Sequence, residues 1–309
     1  MDTQALALAR QRAAENLPER LTWETLSLSV TDLDRAEAFW TGVVGLVRRP
    51  AEGLGLALGT ADRTLVVLIP GARAPVARGH AGLYHVALGM ASQAEFSRRI
   101  QRFIDLGIAF SPVDHLMSKA LYLSDPDGHG IEIAWETPER FGSFSTVSGR
   151  LVLIDSDGRV RSGREPLDIR AERALADGRD PALPLHRDAR VAHLHLHVPA
   201  LESALAWFEG LGFARNLTLD GLGMADMGTG APYTHRLAVN IWAGPGVRPA
   251  PATSARLMTY TLVTSDEAAF TAARARLTED PATGDLTGTD PAGVLLRLRS
   301  AASRKEDAR

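Results

Sequence analysis

The segment TLSLSVTDLDRAEAFW at residues 25–40 recurs as HLHLHVPALESALAWF at residues 193–208, an offset of 168. Such a recurrence means that one supersecondary unit is used more than once, so the unit has to be defined before the fold. Leu26, Leu28 and Val30 correspond to Leu194, Leu196 and Val198, and Leu33, Ala36 and Ala38 correspond to Leu201, Ala204 and Ala206. The apolar period is two in TLSLSV and HLHLHV, as in a half-buried strand, and becomes helical in the residues that follow. Asp32 or Asp34 can cap that helix and Gly45 can end it. Strand-like runs come next: LGLALG and RTLVVLI in the first copy, HRLAVNIW in the second.

A weaker copy lies inside each half. YHVALGM (84–90) leads into the helical SQAEFSRRIQRFIDLG, then ALYLS, the turn DPDG (125–128) and GIEIAW. TYTLVTS (259–265) leads into DEAAFTAARARL, then the turn DPAG (290–293) and VLLRLR. Proline at the second and glycine at the fourth position favour a tight turn. The pattern predicts an α+β chain of four βαβββ modules in two similar halves, 21–140 and 190–300, each a pair of consecutive modules with its own core. The Leu/Val set of each leading strand should face the helices. Between the halves, 141–189 is too long for a structureless loop. It reads as a structured linker, with a hairpin at LVLID–SDG–RVRSG and a short helix in PLDIRAERALADG. The tail SRKEDAR is polar and expected to fray.

Composition narrows the chemistry. The 309 residues carry 34 basic and 37 acidic side chains, net −3, so neither nucleic acid nor an anionic membrane is an expected partner. No apolar run reaches the ~20 residues that span a bilayer, and the N-terminal residues lack a secretory h-region. The expected compartment is the cytoplasm. There is no cysteine, which excludes disulfides, thiol nucleophiles and thiolate metal sites. Any metal must be held by His, Asp, Glu or backbone oxygen.

The stretches GLYHVALGM, DHLMSKALYLSDPDGHGIEIAWETP, EPLDIRA, VAHLHLHV and YTHRLAVNIWAGPG resemble the vicinal oxygen chelate superfamily, which includes glyoxalases, bleomycin resistance proteins and extradiol dioxygenases. Within it they are most similar to the two-domain catechol 2,3-dioxygenase-like branch. The resemblance spans about residues 22–300 and implies curved mixed sheets that hold a divalent metal on a concave face. In the dioxygenase branch the ligands are two His and one Glu, a facial triad associated with Fe(II). Carried over by position, the family ligands would be His193 on the leading strand of the third module and His235 on its last strand. The third position, after the turn of the fourth module, is occupied by Arg297. In the first half, His85 and Glu132 stand at ligand-like positions, but Thr25 replaces the counterpart of His193. Two donors from one module are too few unless another chain or module contributes, and Glu132 on its alternating strand is expected to face solvent or a salt-bridge partner.

Two functions follow as expectations. One is a metal-dependent extradiol dioxygenase with Fe(II) or another divalent ion, weakly held because a guanidinium cannot ligate a cation. The other is a metal-free protein that binds a small molecule for resistance or sequestration. His195 shares a strand face with His193 and is the candidate proton carrier. Tyr233, Trp242, Tyr260 and Arg297 are the expected pocket residues, suited to a small aromatic or apolar molecule. Self-association into a homo-oligomer is left open. His115 and His129 are expected at the surface, and His80 and His186 in loops.

Overall fold

The computed structural model describes residues 3–14, 17–51, 53, 55–148, 150–230 and 232–302; the SRKEDAR tail lies outside them. Each of the four predicted modules has the order strand, helix, three strands. The first contains β1 (Leu21–Val30), β2 (Val47–Arg48), β3 (Leu56–Gly59) and β4 (Thr64–Pro70). The second contains β5 (Gly82–Gly89), β6 (Ser111–Asp114), β7 (Ser118–Ser124) and β8 (Gly130–Glu136). The linker adds β9 (Phe141–Val147), β10 (Arg150–Asp155), β11 (Val160–Arg161) and β12 (Glu165–Pro166). The third module contains β13 (Arg190–His197), β14 (Ala214–Leu219), β15 (Met224–Gly228) and β16 (Leu237–Asn240). The fourth contains β17 (Arg256–Thr264), β18 (Thr278–Glu279), β19 (Leu286–Thr289) and β20 (Leu295–Ser300). The helices are α1 (Thr3–Ala14), α2 (Leu33–Phe39), α3 (Gln93–Asp105), α4 (Ile169–Arg173), α5 (Leu201–Glu209) and α6 (Glu267–Ala273).

Local signals explain the boundaries. Asp32 accepts a hydrogen bond from the Arg35 N–H (3.0 Å) and caps α2. Ser92, Asp168 and Asp266 do the same for α3, α4 and α6. The turn that continues α2 ends at Gly45, whose φ of 94° is left-handed. The strand register is also as expected. Leu26, Leu28 and Val30, like Leu194, Leu196 and Val198, are at most 1% exposed and pack in one core with the helices.

The partnering of the modules differs from the expectation of consecutive pairs. One mixed sheet runs β18-β19-β20-β17-β1-β4-β3-β2, joining the first module to the fourth. The other runs β12-β6-β7-β8-β5-β13-β16-β15-β14, joining the second to the third. In each, two leading strands meet antiparallel: β1 with β17 and β5 with β13. A leading strand buried at the centre of a sheet must fill both of its hydrogen-bonding edges. One edge is taken by the last strand of its own module, and any other leading strand can take the second. The repeat therefore defines the module and leaves its partner open. The halves 21–140 and 190–300 are interleaved across two sheets.

The linker folds as expected into a hairpin, extended to three strands β11-β10-β9, and a five-residue helix α4. Phe144 and Leu153 of this hairpin pack with Ala9 of α1 and with Leu116, Met117, Leu217 and Tyr233 in a second, smaller apolar cluster. Met117, Phe144, Leu153, Leu217 and Tyr233 of that cluster line a cavity beside the β5–β13 sheet.

A candidate metal centre between the second and third modules

Strand register places the site. Across β8, β5 and β13, Glu132 is opposite Ala87 and Ala87 is opposite His193. Along the next row, His85 is opposite His195. Alternation then puts Glu132, His85, His193 and His195 on one face. Glu132 and His193 converge over Ala87, whose methyl leaves the space between them open. Gly130 lets β8 approach β5 there, because a Cβ at Gly130 would lie 2.1 Å from the Tyr84 carbonyl oxygen.

The three side chains meet at their tips. His85 Nε2 is 3.1 Å and His193 Nε2 is 3.2 Å from the same Glu132 carboxylate oxygen. The two imidazole nitrogens are 3.2 Å apart. Donors bonded at about 2.1 Å on one face of an octahedron are about 3.0 Å apart, so this triangle is close to such a face. All three residues are at most 6% exposed. Hydrogen bonding alone fits the cluster poorly. Glu132 can accept Nε2–H from both rings, but this sets the two donors 3.2 Å apart and leaves His193 Nδ1 buried without a partner. The donor set suits a divalent cation, which would take the place of the two crowded protons. His85, Glu132 and His193 form the grouping of this kind found among the described residues.

The electrostatics keep these donors ready to ligate. Burial raises the Glu132 pKa, but His193 and His85 overcome it and hold the carboxyl well below the usual carboxylate range. Burial drives His193 down to about 4, against the pull of Glu132. For His193 the folded pKa is below the unfolded value, so the folded state binds fewer protons. Stability is then present above pH ~6.5 and lost as pH falls toward 4. Metal-free protein should therefore lose urea stability steadily between pH 6.5 and 4, and His193→Gln should flatten that slope. An unchanged slope in the variant would show that His193 is not the group responsible.

A cavity of about 930 Å³ opens over the triad. His235 stands at its edge, its ring 4.7 Å from that of His193. Its Nδ1–H donates to Asp226 (2.7 Å), whose other oxygen accepts from Asn216 Nδ2 and the Leu217 N–H. Burial lowers the His235 pKa, but the bond to Asp226 outweighs it and the net shift is upward. His195 lies on the same face, and its Nε2 accepts from Asn240 Nδ2 (2.8 Å). Burial holds it well below the ordinary imidazole range. On the other side of Glu132, the Tyr122 hydroxyl donates to His115 Nε2 (2.9 Å), whose Nδ1–H donates to the Gly163 carbonyl (2.8 Å). Tyr84 and Trp242 pack edge to face at 5.3 Å, and both line the cavity with Met117, Phe144, Leu153 and Tyr233.

Several expected site residues lie elsewhere or do something else. The structure brings His193 together with His85 and Glu132, with the His235 ring alongside at 4.7 Å, and not with Arg297. His235 is turned to Asp226. Arg297 is on β20 of the other sheet, paired with Asp285 at 3.2 Å. Tyr260 is in that sheet's core, against Trp23 and bonded to Asp290 (2.8 Å), and is absent from the cavity wall. Tyr233, Trp242 and His195 do line the cavity. His129 is buried on Asp125 rather than at the surface, His115 is inside the cavity wall, and His80 lines it from a loop. Asp226 and Tyr122 had no motif to mark them. The signal for His85 and Glu132 was the DPDG turn with its ligand-like Glu, and it needed the second-to-third module pairing to be read.

Residues 23–133 match the model of the glyoxalase/bleomycin resistance protein/dioxygenase superfamily. Over 249 residues the chain is 31% identical to a protein of Bacillus subtilis (strain 168) named catechol-2,3-dioxygenase, covering 76% of this chain and 80% of that one. Solved structures share the fold, among them the following two. Glyoxalase I from Zea mays superposes with a TM-score of 0.53 at 15% identity, over 93% of this chain and 95% of that one. A Bacillus subtilis protein superposes with a TM-score of 0.57 at 10% identity, over 91% and 86%. With that family match, a relative aligned along most of both chains and two curved mixed sheets around a buried His–Glu–His group, the chain belongs to the glyoxalase/bleomycin resistance protein/dioxygenase superfamily.

Proposed function

We propose that the protein is an extradiol dioxygenase that opens the ring of a catechol at a single Fe(II) held by His85, Glu132 and His193. The observation that carries this is the buried triangle of three donors with edges of 3.1–3.2 Å. Two imidazoles and one carboxylate are a donor set that would suit non-haem iron. The relative named catechol-2,3-dioxygenase supports the same substrate class. When bound, the ion would supply Lewis acidity toward the catechol hydroxyls and the redox chemistry that dioxygen requires.

The chain's own groups supply orientation and proton handling. His235 is the better proton carrier. Asp226 fixes its Nδ1–H, so Nε2 is the exchangeable position, and the carboxylate stabilises the imidazolium. His195 is less suited, because Asn240 already donates to the lone pair it would need. His195 instead forms part of the wall, packed against Tyr84 (4.9 Å) and Trp242 (5.3 Å). Tyr122 keeps its proton, since burial and the nearby Glu132 raise its pKa well above 10, and gives it to His115 Nε2, so toward the cavity its oxygen is an acceptor. The hairpin β9–β10 covers the site with Phe144, Leu151 and Leu153 and limits water.

The metal-free reading rested on Arg297 at the third ligand position, and Arg297 belongs to the other sheet. The test is reconstitution with Fe(II) without oxygen, followed by catechol and O₂. One O₂ should be consumed per ring opened, with both oxygen atoms in the product. His235→Phe should lower kcat by about 10²–10⁴-fold while iron content stays stoichiometric. Iron-loaded protein that opens no catechol would overturn the reading.

A further inference from the structure

The cavity wall is biased toward positive charge. Its carboxylates are Glu132 and Asp226, and both are engaged, one by the two histidines and the other by His235 and Asn216. Among the described residues, no free acid lines the space. Three arginines do line it: Arg78, Arg164 and Arg256.

Arg164 differs from its neighbours in the linker. Arg159 pairs with Asp157, and Arg161 pairs with Glu165 and Asp155. Arg164 makes no ion pair or side-chain hydrogen bond among the described residues. The loop that carries it is nevertheless well fixed. The Arg164 N–H donates to Ser162 Oγ (3.1 Å), the Ser162 N–H donates to Glu165 (3.1 Å), and His115 donates to the Gly163 carbonyl (2.8 Å). Glu165 and Pro166 pair with Asp114 and Val113 of β6. The bonds from His115 to the Gly163 carbonyl and from Tyr122 to His115 place this loop beside Tyr122, and Arg164 lines the cavity there. Tyr122 is in register with Glu132, so Arg164 lies on the triad side of the cavity. Arg78 and Arg256 belong to wall segments formed by residues 76–81 and 255–257. A guanidinium held on a rigid loop, with no acid of its own, is suited to bidentate capture of a carboxylate.

Resting on the ring-cleavage reading, we propose that the substrate is a catechol bearing an anionic side chain, and that Arg164 is the specificity-determining residue that pairs with its carboxylate. The aromatic and aliphatic wall takes the ring, the triad side takes the diol, and Arg164 takes the charge at the rim.

The experiment compares 3,4-dihydroxyphenylacetate with 4-methylcatechol as substrates, and 4-hydroxyphenylacetate with 4-methylphenol as non-cleavable ligands followed by calorimetry. The carboxylated member of each pair should be favoured by about tenfold, through KM or Kd rather than kcat. Arg164→Gln should erase that preference and leave the neutral partner unchanged, and Arg164→Lys should restore part of it. Arg164 is exposed, so these variants should fold. Equal binding of both phenols to the native protein overturns the proposal. So does a preference that survives Arg164→Gln and is lost in Arg256→Gln. Catechol cleavage without a charge preference would sink the subsite and leave the dioxygenase reading intact. An Arg164-dependent preference in binding with no cleavage would sink the dioxygenase reading and leave the subsite. No binding and no cleavage would sink both.

Discussion

Glu132→Ala should strip the divalent ion from the protein and reduce ring cleavage by at least about 10³-fold. The carboxylate is the anionic member of the triangle. Without it, two neutral imidazoles remain to hold a dication in a site that is at most 6% exposed, and losing the attraction of a buried opposite charge costs several kcal/mol. A tenfold loss of affinity needs only about 1.4 kcal/mol. The measurement is metal content after gel filtration, together with turnover at saturating Fe(II). Arg297→Glu is the informative control. That side chain is 37% exposed and pairs with Asp285 on the other sheet, so the substitution should leave metal content unchanged. If Arg297→Glu raised metal occupancy, or Glu132→Ala retained stoichiometric iron, the centre would not be the one described.

Much of the fold could be read from the chain because its signals are local. The period-two run at Leu194 and Leu196, the caps Asp32 and Ser92, and the DPDG turn each act within a few residues. They define a βαβββ module without reference to anything distant. The candidate site was only partly legible. His193 was identifiable as pocket-facing, and His85 and Glu132 were recognisable donor types at sensible positions. What local pattern could not supply was which leading strand lies beside which. Pairing β13 with β5 rather than with β17 moves His193 next to His85 and separates it from Arg297. One strand neighbour therefore decides which donors meet His193. Asp226 and Tyr122 were invisible for a related reason. An acid on a short strand and a tyrosine in ALYLS gain a role only through the row of side chains that the completed sheet creates.

The largest stability effect expected outside the metal centre is at Arg236. This side chain is 3% exposed and sits between Glu136 and Glu19, with its guanidinium 4.9 Å from the Tyr233 ring centroid. Arg190 reaches Glu136 at 3.2 Å and Glu19 at 3.1 Å. The cluster ties the segment before β1 to the end of β8 and to the third module, and the Trp23 indole N–H donates to the Arg236 carbonyl (2.9 Å) from β1. It therefore joins the two sheets as well as the modules. Burial raises the Glu136 pKa, but Arg236 overcomes this and the net shift is downward. Arg236→Met should leave Glu136 largely buried with only Arg190 as counter-ion, a change of the kind that costs about 3–5 kcal/mol. The sign with pH follows from Glu136. Its folded pKa lies below the unfolded value, so the stability it contributes is present above pH ~4.5 and lost as pH falls through the folded value. In the variant that contribution is missing near neutral pH, so the gap between native and variant should narrow under acid. Urea unfolding at pH 7 and pH 4 measures both, with an unchanged m-value showing that the folded state is intact. Arg236→Met combined with Glu136→Met should recover part of the loss, since it removes the stranded charge along with its partner. A loss below about 1 kcal/mol for the single variant would mean that Arg190 alone satisfies Glu136 and that Arg236 does not hold the modules together.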